Sequence, residues 1–197
     1  MKLNRFHDPT TGLDIVQVMP GTLYVTDTGE CITTVLGSCI SVCLRDPISN
    51  IGGLNHFMLP DPHTEFEKNT ETNNYGRYAM TQLIEEMEAL GAITNRCEAK
   101  VFGGGRMFPN DQEIGSRNID FASEYLKNLS IVVSSRDVGL NCSRRIRFHT
   151  DTGKVMVKRL RALHNKQVTK LEVDYEQYLS NRKNIIKHTS FQQSAGP

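Results

Sequence analysis

The chain has no Cys-x-x-Cys pair, no long apolar run and almost no net charge. Its five cysteines, at 31, 39, 43, 97 and 142, form an odd and scattered set. That pattern argues against a disulfide framework and fits a reducing compartment. No uninterrupted apolar stretch is long enough to cross a bilayer, and Met1-Lys2-Leu3-Asn4-Arg5-Phe6-His7-Asp8-Pro9 lacks the apolar core of a signal peptide. With 23 Lys and Arg against 22 Asp and Glu, the formal charge of +1 gives no bulk electrostatic reason to bind nucleic acid. A cytoplasmic protein is expected, and 197 residues suffice for one domain with a sizeable core.

Short strands dominate the first sixty residues, with candidates at Ile15–Val18, Leu23–Thr26 and Ile32–Leu36. The polar segment from Asp61 to Asn74 reads as a loop. A helix follows from about Tyr75 to Leu90, capped by Asn73 or Asn74, striped by Ala79, Met80, Leu83, Ile84, Met87 and Leu90, and ended by Gly91. Ala99–Phe102 reads as a strand, Asn118 as the cap of a second helix through Leu129, and Ile131–Ser134 as another strand. Arg145–His149 and Lys154–Leu160 flank Thr150-Asp151-Thr152-Gly153, a hairpin signal. Composition changes after residue 160. Residues 1–160 carry 17 basic against 19 acidic side chains, a net of −2, whereas 161–197 carry six against three, a net of +3. The domain is therefore placed at 1–160, with a basic extension over 161–197 in which Leu171, Tyr175, Tyr178 and Leu179 suggest one short helix and Thr189–Pro197 reads as disordered.

Chemistry concentrates at two side chains. Cys39 lies in Leu36-Gly37-Ser38-Cys39 and His56 in Gly52-Gly53-Leu54-Asn55-His56-Phe57-Met58-Leu59-Pro60. The segment between them reads as strand, turn and returning strand. A turn centred between Pro47 and Ile48 sets Arg45 opposite Asn50 and Cys39 directly opposite His56, on the face away from Ile40, Val42 and Leu44. A thiol beside an imidazolium is a nucleophile, because the charge lowers the thiol pKa. The competing reading is an ordinary buried cysteine and a satisfied strand histidine.

Other motifs are weaker. Gly103-Gly104-Gly105-Arg106 fits neither the dinucleotide nor the Walker pattern and reads as a tight turn near the site. Cys31, Cys39, Cys43 and His56 are poor zinc ligands, since Cys39 and Cys43 in an extended strand stand about 13 Å apart. His63 and His149 are less suitable partners for the thiol than His56.

Several runs together closely resemble the bacterial chemoreceptor glutamine deamidases, the CheD family. They are Thr33-Thr34-Val35-Leu36-Gly37-Ser38-Cys39-Ile40-Ser41-Val42-Cys43-Leu44-Arg45-Asp46-Pro47, the Gly52–Pro60 run, Phe102-Gly103-Gly104, Ile114-Gly115-Ser116-Arg117-Asn118 and Arg144-Arg145-Ile146-Arg147-Phe148. The resemblance spans roughly residues 13–160. It implies an α+β, single-domain, layered α/β/β/α fold like that of cytotoxic necrotizing factor deamidases. It also implies hydrolysis of receptor glutamine side-chain amides to glutamate, with methyl esters as further substrates in some members. Catalytic residues carry over to Cys39, His56 and, by count from the cysteine, Thr33, with Thr34 adjacent. No metal or organic cofactor is implied. The implied partners are the cytoplasmic domains of methyl-accepting chemotaxis receptors and a CheC-type phosphatase. One departure is the stretch Asp137-Val138-Gly139-Leu140-Asn141-Cys142-Ser143-Arg144, where the family has a glycine-rich run. The rival functions are a non-catalytic interaction protein and a general cysteine peptidase.

Overall fold

The computed structural model describes residues 4–60, 74–107 and 112–160. The loop expected at 61–74 (apart from Asn74), His63 and the extension over 161–197 lie outside the described residues. Among the described residues ten strands form two five-stranded sheets. The first sheet contains β1 (Asn4–Asp8), β2 (Leu13–Gln17), β4 (Cys31–Leu36), β9 (Arg144–His149) and β10 (Val155–Arg159), in that order. The second has the order β3 (Thr22–Thr26), β6 (Ile51–His56), β5 (Ile40–Asp46), β7 (Glu98–Gly103) and β8 (Val132–Val138). Pairing is antiparallel except between β2 and β4 and between β7 and β8.

Two helices, α1 (Gly76–Ala89) and α2 (Gln112–Asn128), both pack on the second sheet. The architecture is α+β and single-domain, and the described residues form three layers, helices, sheet and sheet; the second helical layer of the expected α/β/β/α order is not among them. Alternation along β5 divides the core. Ile40, Val42 and Leu44 pack with Ala79, Met80, Leu83, Ala122 and Leu126 of the helices. Cys39 and Cys43, with Leu54 and Phe102, meet Ile32, Leu36, Ile146 and Phe148 of the first sheet. Each such fully buried large apolar side chain contributes about 1.5–3 kcal/mol.

Several local readings change. The N-cap of α1 is Tyr75, without a side-chain cap bond, in place of Asn73 or Asn74. Its end is as expected: Gly91 takes φ +104°, and the Gly91 and Ala92 amides donate to the Glu88 and Met87 carbonyls, the Schellman pattern. Asn118 does not cap α2. It lies inside that helix, and its buried side chain is used elsewhere. The exposed strand β1 has no apolar alternation and gave no signal in the sequence.

The Pro47–Asn50 turn holds four residues. Asp46 Oδ1 accepts the Ile48 amide at 3.0 Å, and Asn50 adopts φ +57°. Asp46 therefore pairs with Ile51 and Cys43 with Leu54, and the pairing resumes at Ile40 with Phe57. This register is two residues away from the expected one. A slip of two preserves the faces, whereas a slip of one inverts them.

Candidate active site

In the observed register His56 falls opposite Ser41, and Cys39 is its diagonal neighbour on the same face, not its direct partner. Both Cys39 and His56 are 1% exposed and lie between the two sheets. The β5–β6 ladder is interrupted beside them. The Val42 amide donates to Asn55 Oδ1 at 3.0 Å, while Asn55 Nδ2 donates to the Ala79 carbonyl at 3.2 Å. Asn55 thus takes the place of a ladder bond next to His56.

Strand β4 brings a hydroxyl to the imidazole. Thr34 shares the inward face with Ile32 and Leu36, and its Oγ1 lies 2.8 Å from His56 Nδ1. Thr33 points to the other face and donates to the Ile146 carbonyl at 2.7 Å. The expectation of Thr33 beside the imidazole is therefore corrected: counting back from the cysteine reached the wrong face of the strand, and the alternation of side chains puts Thr34 there.

Proton positions follow from the partners. Thr34 Oγ1 also lies 2.8 Å from the Val18 carbonyl, which can only accept. The single hydroxyl proton goes to Val18, so the Thr34 oxygen accepts the proton of His56 Nδ1. The imidazole is held as the Nδ1–H tautomer, with the lone pair on Nε2. That nitrogen is buried and has no hydrogen-bond partner among the described residues, and Ser41 Oγ opposite is in the same condition. Burial pushes the His56 pKa down to about 3. The resting ring is then a neutral base, not the imidazolium expected from the residue pair alone.

Burial pushes the Cys43 thiol far up and the Cys97 thiol up to about 11, which suits inert core thiols. His149 pairs across from Cys31 at the far end of β4. Among the described residues no three His, Cys, Asp or Glu side chains gather as a metal site requires, and no helix is long and apolar enough to cross a membrane.

Three further loops and strands enclose the Gly37–Cys39 segment. Gly104 and Gly105 amides donate to the Cys39 and Gly37 carbonyls at 2.8 and 2.7 Å, and the Gly139 amide donates to the Gly103 carbonyl at 2.9 Å. Arg144, fully buried, donates to carbonyls of Asp137, Gly139 and Cys142 and pairs with Asp137. The triple glycine is thus the close-contact turn beside the site that its composition suggests.

The chain matches the family model described as CheD chemotactic sensory transduction over residues 58–159. It is 41% identical over 176 residues to a protein of Hydrogenovibrio crunogenus named "Probable chemoreceptor glutamine deamidase CheD", covering 88% of this chain and 91% of that protein. A relative of Hahella chejuensis with the same name is 41% identical, covering 92% of this chain and 87% of that protein. The chain belongs to the CheD family. Within a CheD fold, sequence reasoning missed Asn55 and Ser41. Both sit in a strand whose apolar alternation drew attention to its other residues, and only the three-dimensional pairing relates them to His56.

Proposed function

We propose that this CheD-family chain is a protein-glutamine deamidase acting on the cytoplasmic domains of chemotaxis receptors, with Cys39 as nucleophile, His56 as acid–base and Thr34 as the group orienting His56. The observation that carries this reading is the Val18–Thr34–His56 chain of hydrogen bonds, which leaves a buried, unprotonated Nε2 on the face shared with Cys39. His56 Nε2 takes the Cys39 proton as sulfur attacks the carboxamide carbon. The tetrahedral intermediate collapses, the C–N bond breaks, and His56 returns the proton to the departing ammonia. Water, deprotonated by His56, then attacks the thioester, and glutamate and the free thiol are restored.

The deamidase domain is assigned to residues 1–160 and the basic extension to 161–197. A CheC-type phosphatase is a proposed partner on resemblance alone, and co-purification of the two proteins tests it. Intact mass spectrometry of a receptor cytoplasmic domain tests the activity: each deamidation adds about 1 Da, a peptidase fragments the substrate, and a binding protein leaves it unchanged. Wild-type protein should add mass and Cys39→Ala should not, while Cys43→Ala should remain active once folded. Equal activity in Cys39→Ala and wild type refutes the assignment.

A further inference from the structure

Ser41 lies between Cys39 and Cys43 on β5 and is fully buried. Side chains alternate along a strand, so Ser41 shares the face of those two cysteines, which pack with Leu54 and Phe102 against the first sheet. Its neighbour on β7 is Phe102, and on β6 the register sets it opposite His56. His56 reaches the same space, since its Nδ1 meets Thr34 of β4. Ile40 and Phe57 exchange both backbone bonds at 3.0 Å. The next pair of an antiparallel ladder is then a non-hydrogen-bonded one, where opposed side chains stand closest. Ser41 and His56 form that pair.

Among the described residues the Ser41 hydroxyl and His56 Nε2 have no hydrogen-bond partner, and neither bonds the other. Each is costly to bury in that condition, and the two are complementary in kind. Nε2 can only accept while Nδ1 holds the ring proton, whereas the hydroxyl can donate. One small molecule that donates to Nε2 and accepts from Ser41 satisfies both, and water is such a molecule; buried water is held by about two to four polar partners. Water that donates to a neutral imidazole is also in place to give up that proton. Cys39 is the diagonal neighbour of His56 on this same face.

We infer that Ser41 is a further catalytic residue, which with His56 holds and orients the water that hydrolyses the Cys39 thioester. This rests on the proposed acyl-transfer chemistry. The water oxygen bonds to the thioester carbonyl carbon as its proton passes to His56 Nε2. The C–S bond breaks, and the sulfur, leaving as thiolate, takes the proton back from His56. Formation of the thioester consumes no water, so Ser41 acts on the second half of the cycle alone.

The two halves separate with p-nitrophenyl acetate. Attack by Cys39 expels p-nitrophenolate, whose release in a single turnover gives the acylation rate. After removal of excess ester, peptide mass spectrometry follows the loss of the acetyl group from Cys39 and gives the deacylation rate. Ser41→Ala should acylate at a rate close to wild type and deacylate at least about 10-fold more slowly, because the water is no longer oriented. If Ser41→Ala does not melt cooperatively, Ser41→Gly takes its place. A parallel fall in both rates means that Ser41 serves packing or the imidazole in general, and unchanged deacylation means that the water needs no such support; either result overturns the inference. Wild-type protein that is never acetylated at Cys39 would refute the acyl-transfer reading and the water site with it. Failure of deamidation alone is distinct from these: it shows as wild-type protein that is acetylated but adds no mass to a receptor domain.

Discussion

Gly103 and Cys39 approach each other so closely that a Cβ built on Gly103 would stand 2.1 Å from the Cys39 carbonyl oxygen. Gly103 also adopts φ +113°, a conformation that side-chain-bearing residues rarely adopt. Gly103→Ala should therefore push the Cys39 segment away and lower the melting temperature by at least about 4 °C, on the scale of 2–4 °C per kcal/mol for a domain of this size. Gly91→Ala is the control, because its φ of +104° is equally unusual but nothing lies within 4 Å of the added carbon. Thermal unfolding and deamidation should separate the two: Gly91→Ala loses stability alone, Gly103→Ala loses stability and activity. Full activity in Gly103→Ala would show that the approach is not needed.

Thr34→Val keeps the shape and removes the hydroxyl between His56 Nδ1 and the Val18 carbonyl. The Nδ1 proton then loses its acceptor and the tautomer is no longer fixed. Deamidation should fall about 10²-fold. Thr33→Val removes one bond to the Ile146 carbonyl and should cost about 1 kcal/mol of stability with little change in rate. The opposite ranking of the two variants would return the orienting role to Thr33.

The acid limb of kcat/KM should lie well below pH 6, since His56 is held neutral with a pKa near 3, against about 6.5 for an ordinary histidine. Stability has the matching sign. A group whose folded pKa is depressed favours the folded state fully above its unfolded pKa, and that advantage is lost as pH falls toward the folded value. Between about pH 6.5 and 4.5, before most carboxylates titrate, His56 should contribute a slope of up to 1.4 kcal/mol per pH unit. Urea unfolding across this window should show a shallower slope for His56→Gln than for wild type. Identical slopes would mean that His56 is protonated in the folded protein.

Asp46 is fully buried at the other end of β5. Burial alone would raise its pKa, but hydrogen bonds from the Ile93 and Ile48 amides and from Arg96 hold the carboxyl below the ordinary range. Asp46→Ala leaves those donors unpaired and should destabilise by about 3 kcal/mol. Protein that remains folded should deamidate normally, so a selective loss of activity would reveal a link along β5 to Cys39.

Regular alternation and turn chemistry made the main strands, both helices and the pairing of Cys39 with His56 on one face readable in the sequence. What was not readable depended on partners distant in the chain. The length of the Pro47–Asn50 turn is set by Asp46, whose side chain caps it from within, and this moved the register by two. Thr33 and Thr34 are indistinguishable as a dipeptide, and only the strand pairing of β4 with β9 selects the inward one. Asn118 reads as a helix cap because isolated asparagines often are caps; its true acceptors, Ser38 and Met58, lie 80 and 60 residues away.

Among the described residues His56 Nε2 and Ser41 Oγ, between the sheets, have no hydrogen-bond partner, and in the proposed mechanism they set catalysis against thermal endurance. A buried polar atom without a partner costs about 1–3 kcal/mol. A variant with an apolar side chain of similar volume at position 56 would remove that cost together with the base. If His56 is the base proposed above, such a variant gains stability and loses activity, and screens that select on melting temperature alone should drift toward loss of the site.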